Sequence, residues 1–266
     1  EAQRTSLRAH APILRTIGDD LPASIHGLLV ANELLDALPV HRVRMTQGGL
    51  VETFVTARES RLALTEGPAS TPALEGYFRR LGITLAPGQV ADISLCARAA
   101  RSLARGYLLL VDYGDEAHRL FTEGPACGTL RSYARHQADP GPRARPAHVS
   151  SDVPARHDET ETPAWLLEPG ARDLTAHVDF TTVRRTLEET GLRPLVRTDQ
   201  TRWLLASGLL DRIARPQPPG AIPALRRRLQ AKTLVTPGGP GSTHQVLLFG
   251  TAGVPVPELD RSLVRG

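Results

Sequence analysis

Apolar residues along this chain gather in short runs that stop abruptly at polar or turn-forming residues. The run Leu28-Leu29-Val30-Ala31, bounded by Gly27 and by Asn32-Glu33, is strand-length and does not alternate. That pattern predicts a parallel strand buried on both faces. Asn32 then caps a short helical turn over Glu33–Leu38, which Pro39 ends. Gly106–Gly114 repeats the design: an apolar run stops at Asp112, and Gly114 lets the backbone turn sharply. Between the two, residues 40–45 and 50–55 alternate around Gln47-Gly48-Gly49, which predicts a hairpin, with a third strand at 61–65. Helical spacing predicts helices over 1–17, 74–81 and 90–103, the last with Val90, Ile93, Leu95, Ala97, Ala100 and Leu103 on one stripe. Further helices are predicted at 181–190, closed by Gly191, and at 203–213 and 222–229; strands are predicted at 192–198 and 245–249. Residues 124–172 are rich in loop formers, and 137–163, with few apolar positions, reads as a flexible insertion.

Two apolar strands that each end in a carboxylate point to an α/β fold with a parallel sheet. Ligands in such sheets sit outside the carboxyl ends of the strands. Asn32, Glu33, Asp36 and Asp112 therefore fall where a site would be, although the same residues also suit turn capping. Asp36, three residues after Glu33, shares its side of the predicted turn. Asp173, Thr175 and Asp179 read as loop-bracing residues, with Asp179 or Thr181 capping the helix that follows.

Composition changes this picture little. The 266 residues suffice for one large domain or two small ones, and 41% hydrophobic with 23% charged residues is ordinary for a soluble protein. No run approaches the roughly 18 apolar residues of a membrane span. No signal peptide is visible, and the sequence does not begin with Met, so a fragment or a processed chain is expected. Lys232 is the sole lysine, and the formal charge is only +4. A pI of about 9.6 and the runs Arg226-Arg227-Arg228 and Arg184-Arg185 hint at nucleic acid, but solvated helix faces explain both runs. Cys96 and Cys127 have no metal or CxxC spacing, which fits a reducing cytoplasm. No metal set and no Ser-His-Asp pattern emerges.

Four stretches together resemble the MidA family of class I S-adenosylmethionine-dependent methyltransferases: 31–39 (ANELLDALP), 111–114 (VDYG), 128–136 (GTLRSYARH) and 173–180 (DLTAHVDF). They occur in the family's order over most of the chain. The resemblance implies a Rossmann-like fold whose last strand runs antiparallel beside the strand near 192–198, with an inserted α+β subdomain at about 42–105. It implies S-adenosyl-L-methionine as cofactor. The family's mitochondrial member is a complex I assembly factor that methylates a protein arginine, so the resemblance implies a protein substrate, such as a respiratory-complex subunit, as partner. The family's glycine-rich loop and ribose-binding acid have no match here; by comparison the chain begins just before the family's fourth strand. Gly48-Gly49 and 237–241 do not replace that loop, because neither follows a buried strand and opens a helix.

An arginine acceptor would present a planar, charged fork of donors, for which a carboxylate is the natural partner. Glu33 is the leading candidate, with Asp36 as a second acceptor and Asp112 holding the substrate loop or pairing with an arginine. Asn32 could bond substrate or adenine, or end the strand. His136 and His177, the family-matched imidazoles, could take up the released proton or brace loops. Two rival readings stand beside the enzyme: a non-catalytic assembly protein that retains the fold, and, on basicity alone, a nucleic-acid methyltransferase or binder.

Overall fold

The computed structural model describes residues 21–58, 61–94, 99–134, 137–138, 163–214, 222–236 and 238–260. The predicted helix over 1–17, the residue His136 and nearly all of 137–163 lie outside these residues.

Strand β1 (Ile25–Asn32) opens the described chain. It is followed by β2 (His41–Thr46), β3 (Gly49–Arg58), β4 (Arg61–Pro68), helix α1 (Pro72–Leu81) and β5 (Val90–Ile93). These strands form an antiparallel sheet in the order β4-β3-β2-β5, so the predicted hairpin and third strand are both present. Thr71 caps α1 by accepting from the Ala73 N–H, and the helix packs Leu74, Tyr77 and Phe78 against Val43 and Ile93. Phe121 joins them edge-on to Tyr77 and Phe78.

The helix predicted over 90–103 does not form. Val90–Ile93 is a fully buried strand paired with β2, and a single 3-10 turn at Ala99–Ser102 leads directly into β6 (Leu103–Asp115). Spacing alone does not separate a short buried strand from a helical stripe. The deciding contact is long-range: Asp92 binds Arg42 at 2.8 Å and receives the Thr129 and Leu130 N–H groups at 2.7 and 2.9 Å. Gly128 lets that loop close on Asp92, since a β-carbon there would lie 2.4 Å from the carboxylate.

After β6 come β7 (Arg131–Ala134), β8 (Gln137–Ala138), β9 (Asp173–Thr175), β10 (Val178–Asp179), helix α2 (Phe180–Glu189) and β11 (Arg193–Asp199). Asp179 caps α2, accepting from the Thr181 and Thr182 N–H groups at 2.9 and 3.2 Å. The predicted helix over 203–213 is two, α3 (Gln200–Ala206) and α4 (Leu209–Ala214), broken at Gly208, whose φ is +80°. Helices α5 (Ile222–Val235) and α6 (Pro240–Thr243) precede the last strand, β12 (His244–Gly250).

The principal sheet runs β1-β6-β12-β11. β1 and β6 are parallel, while β12 is antiparallel to both of its neighbours, as the resemblance implies. Leu108, Leu110, Leu247 and Phe249 pack from this sheet against Phe180 and Leu187 of α2. Two expectations are corrected. β1 is not buried on both faces: Leu29 and Ala31 join the core, but Leu28 and Val30 are 55% and 60% exposed, because no described residue covers their face. Nor does Gly114 turn the chain. β6 continues past it to pair with β10, and a β-carbon at Gly114 would sit 2.0 Å from the Val178 carbonyl oxygen. The glycine is there for close strand approach.

Candidate active site

The carboxyl ends of β1 and β6 lie side by side, with Asn32 opposite Val111. Here the predicted helical turn is replaced by a bent loop. Glu33 takes a left-handed backbone, φ +47°, with its N–H donating to the Val111 carbonyl at 2.8 Å. A non-glycine residue in that region costs about 1–2 kcal/mol, and such strain tends to mark functional positions. Asn32 does not cap the loop. Its side-chain amide lies 3.5 Å from the Glu33 carboxylate instead.

The cap comes from the neighbouring strand. Asp112 Oδ2 accepts from the Leu35 N–H at 2.8 Å and the Asp36 N–H at 3.4 Å, and Oδ1 accepts from the Tyr113 N–H at 2.9 Å. At 1% exposure, with both oxygens engaged by backbone donors, Asp112 sits beneath the loop and shapes it. These bonds match the loop-holding alternative for Asp112, and pairing with a substrate arginine would require it to leave those donors. Burial first, and then the carboxylate of Asp36, raise its pKa to about 6.

Asp36 also points inward. Its side chain is buried and its carbonyl accepts from the Ala176 N–H at 2.9 Å, tying the loop to the 173–180 stretch. Glu33 and Asp36 therefore do not share a face: one carboxylate is exposed at the rim and the other is buried. Asp36 Oδ1 and Thr175 Oγ1 are buried without a hydrogen bond of ordinary geometry. Both groups act on the phenol of Tyr113, which burial first, and then Asp36, push above its usual value against a pull from Thr175.

Tyr113 is the hub of an aromatic row. His177 meets its ring edge-on with centroids 5.6 Å apart, and His244 meets it at 5.5 Å. His177 is held by its N–H to Thr129 Oγ1 at 3.2 Å. Burial, and then the charge of Arg131, lower its pKa, so its neutral form is favoured. His244 heads β12 directly opposite Tyr113, and its Nε2 lies 3.6 Å from Glu33 Oε1. His244 carried no signal in the sequence: it precedes an apolar strand far along the chain, and only antiparallel pairing with β6 brings it to Glu33. Tyr113 is part of the 111–114 stretch but was not singled out as a site residue. Stretches 31–39, 111–114 and 173–180 thus converge on one point, and Thr129 of the fourth braces it.

A cleft of about 210 Å³ opens beside the loop, lined by Leu35, Leu38, Tyr77, Ser94, His177 and Asp179 among others. Tyr77 hydrogen-bonds Asp179 across its floor. It separates the principal sheet and α2 from the sheet that carries α1.

A family model described as "Putative S-adenosyl-L-methionine-dependent methyltransferase" matches residues 1–198. The chain belongs to this methyltransferase family. The MidA-type resemblance carried by the four stretches is thereby borne out. The chain is 29% identical over 172 residues to protein arginine methyltransferase NDUFAF7, mitochondrial, of Mus musculus, covering 62% of this chain and 32% of the relative. The Drosophila melanogaster homologue is 26% identical over 183 residues, covering 65% and 35%. A solved structure from Burkholderia thailandensis bound to S-adenosyl-homocysteine superposes with a TM-score of 0.76 at 27% identity, over 96% of this chain and 62% of its own. The chain spans about a third of the length of the curated relatives it matches. The fold is accordingly the class I methyltransferase type, in its β1-β6-β12-β11 portion, and S-adenosyl-L-methionine is the cofactor of the family.

The described residues fit one end of that cofactor. The Tyr113 ring at the strand ends suits a positively charged sulfonium group. No described glycine turn joins a parallel strand to a helix to hold the sugar. Gly239 and Gly241 are explained by packing, since β-carbons there would meet the Thr233 and Leu234 carbonyl oxygens at 2.8 and 1.9 Å.

Proposed function

We propose that the intact protein transfers a methyl group from S-adenosylmethionine to a nitrogen of a protein arginine, with Glu33 orienting the guanidinium. The observation that carries this reading is the exposed carboxylate of Glu33, a residue whose backbone is held at the joined ends of β1 and β6 by a left-handed φ and a 2.8 Å N–H bond to the Val111 carbonyl. The arginine methyltransferase names of the relatives support the same acceptor.

The cofactor, when bound, supplies the methyl carbon and keeps the electron pair of its carbon–sulfur bond. The remaining work falls to this chain. Glu33 accepts N–H bonds from the guanidinium, fixing its plane and drawing positive charge away from the reacting nitrogen. That nitrogen forms the new bond to carbon and gives up one proton, so the methylated guanidinium remains a cation. Glu33 and His177, neutral by virtue of its lowered pKa, are the acceptors proposed for that proton. Asp112 and Asp36 hold the loop from below. The segment 42–105 is read as an inserted subdomain, whose α1 and β5 wall the cleft on the acceptor side.

A non-catalytic binding protein that retains the fold is the second reading. Incubating the intact protein with methyl-labelled S-adenosylmethionine and candidate proteins, followed by mapping of the labelled residue, separates the two. Label on arginine, sharply reduced but measurable in a folded Glu33→Gln variant, is the expected result. Full transfer in that variant removes Glu33 from the mechanism, and no label on any protein supports the binding reading.

A further inference from the structure

We infer that His244 is a positioning residue for Glu33, holding its carboxylate where an acceptor guanidinium must meet it. The inference deepens the proposed function and rests on it for its kinetic arm. The two side chains differ in freedom. Glu33 is 56% exposed, and a solvated carboxylate on a flexible stem has many rotamers, so the strained backbone alone does not fix its oxygens. His244 is 16% exposed, stands at the start of a strand whose pairing with β6 sets its position, and lies with its ring against Tyr113. Nδ1 of the imidazole lies 3.3 Å from Thr243 Oγ1, and Nε2 faces Glu33. A rigid donor beside a mobile acceptor sets where the acceptor goes.

The 3.6 Å separation is longer than a formed hydrogen bond and lies within ion-pair reach. Contacts of this kind often tighten only when the site is filled. Asn32, whose amide lies 3.5 Å from the same Oε1, completes a two-sided grip: a donor from β1 on one side and a donor from β12 on the other. Tyr113 meets both His244 and His177 and keeps the two imidazoles apart.

The test compares wild type, His244→Ala and His244→Gln, each alone and combined with Glu33→Gln, in methyl transfer to an arginine-bearing protein. Glutamine places a donor close to the imidazole Nε2 but carries no charge. His244→Ala is expected to lower kcat by about 10-fold with little change in KM for S-adenosylmethionine, and His244→Gln to restore most of it. In the Glu33→Gln background, His244→Ala should add no further loss. Equal losses in both backgrounds, or no loss in either, overturn the inference. A separate arm needs no turnover: nitrogen-15 spectra of histidine-labelled wild type and Glu33→Gln. A displaced His244 Nε2 resonance supports the pairing, and an unmoved one refutes it. If wild type methylates no arginine, the arginine reading fails, while the spectra still decide whether His244 holds Glu33.

Discussion

Asp112 offers the most direct check on how this site is built. Its carboxyl is almost fully buried and faces Asp36, and these two causes raise its pKa from 3.8 to about 6 in the folded chain. Between those values the folded protein retains a proton that the unfolded chain has released. Stability must therefore fall as pH rises from about 4 to about 6 and level off above that. Each pKa unit corresponds to about 1.4 kcal/mol, so the shift amounts to about 3 kcal/mol at neutral pH. Three backbone N–H bonds pull the other way, so the net shift already includes their opposition.

The perturbation is Asp112→Asn, which cannot ionise. Urea unfolding of wild type and variant at intervals between pH 4 and pH 8 gives a stability difference at each pH, and contributions of other groups largely cancel in that difference. The variant loses about 1 kcal/mol at pH 4, because its amide nitrogen must face the Tyr113 N–H in place of an acceptor oxygen. As pH rises, wild type is destabilised by the cost of ionising a buried carboxyl and the variant is not, so the difference moves toward the variant by about 3 kcal/mol. A difference that stays flat with pH, or moves toward wild type, would refute the placement of Asp112 beneath the loop.

Two further outcomes follow from close contacts and strain. Gly114→Ala should destabilise the protein by about 2–3 kcal/mol, since the new β-carbon falls 2.0 Å from the Val178 oxygen and β10 must move; a melting temperature equal to wild type would contradict the observed strand approach. Glu33→Gly should be about 0.5–1 kcal/mol more stable than Glu33→Ala, because relief of the left-handed strain outweighs glycine's extra freedom when unfolded. Equal urea midpoints for the two would argue that φ at residue 33 is not strained.

Much of the sheet was legible because strands announce themselves locally. Runs such as 28–31 and 107–111 are of strand length and bounded by glycine and polar residues, and the hairpin at 41–58 carries its own turn glycines. The segment 90–93 was misread because its state depends on Asp92, whose partners Arg42, Thr129 and Leu130 come from elsewhere in the chain. The apolar face at Leu28 and Val30 was read as buried because a hydrophobic run records what a strand prefers to touch and not what is present to cover it.

The site shows the same limit at the level of single carboxylates. Asn32, Glu33, Asp36 and Asp112 were equally visible as polar residues after apolar runs, and a helical turn would have placed Glu33 and Asp36 on one face. Asp112 caps the loop from the neighbouring strand: it takes the N–H groups of Leu35 and Asp36, which at the start of a helical turn have no partner within the turn itself. That capture buries one acidic side chain to shape the loop and turns another, Glu33, out to the rim. The two roles are consequences of a single cross-strand contact. Any substitution that frees the loop from Asp112 should therefore disturb Glu33 as surely as a change at Glu33 itself, since the carboxylate presented to solvent is positioned by the one that is hidden.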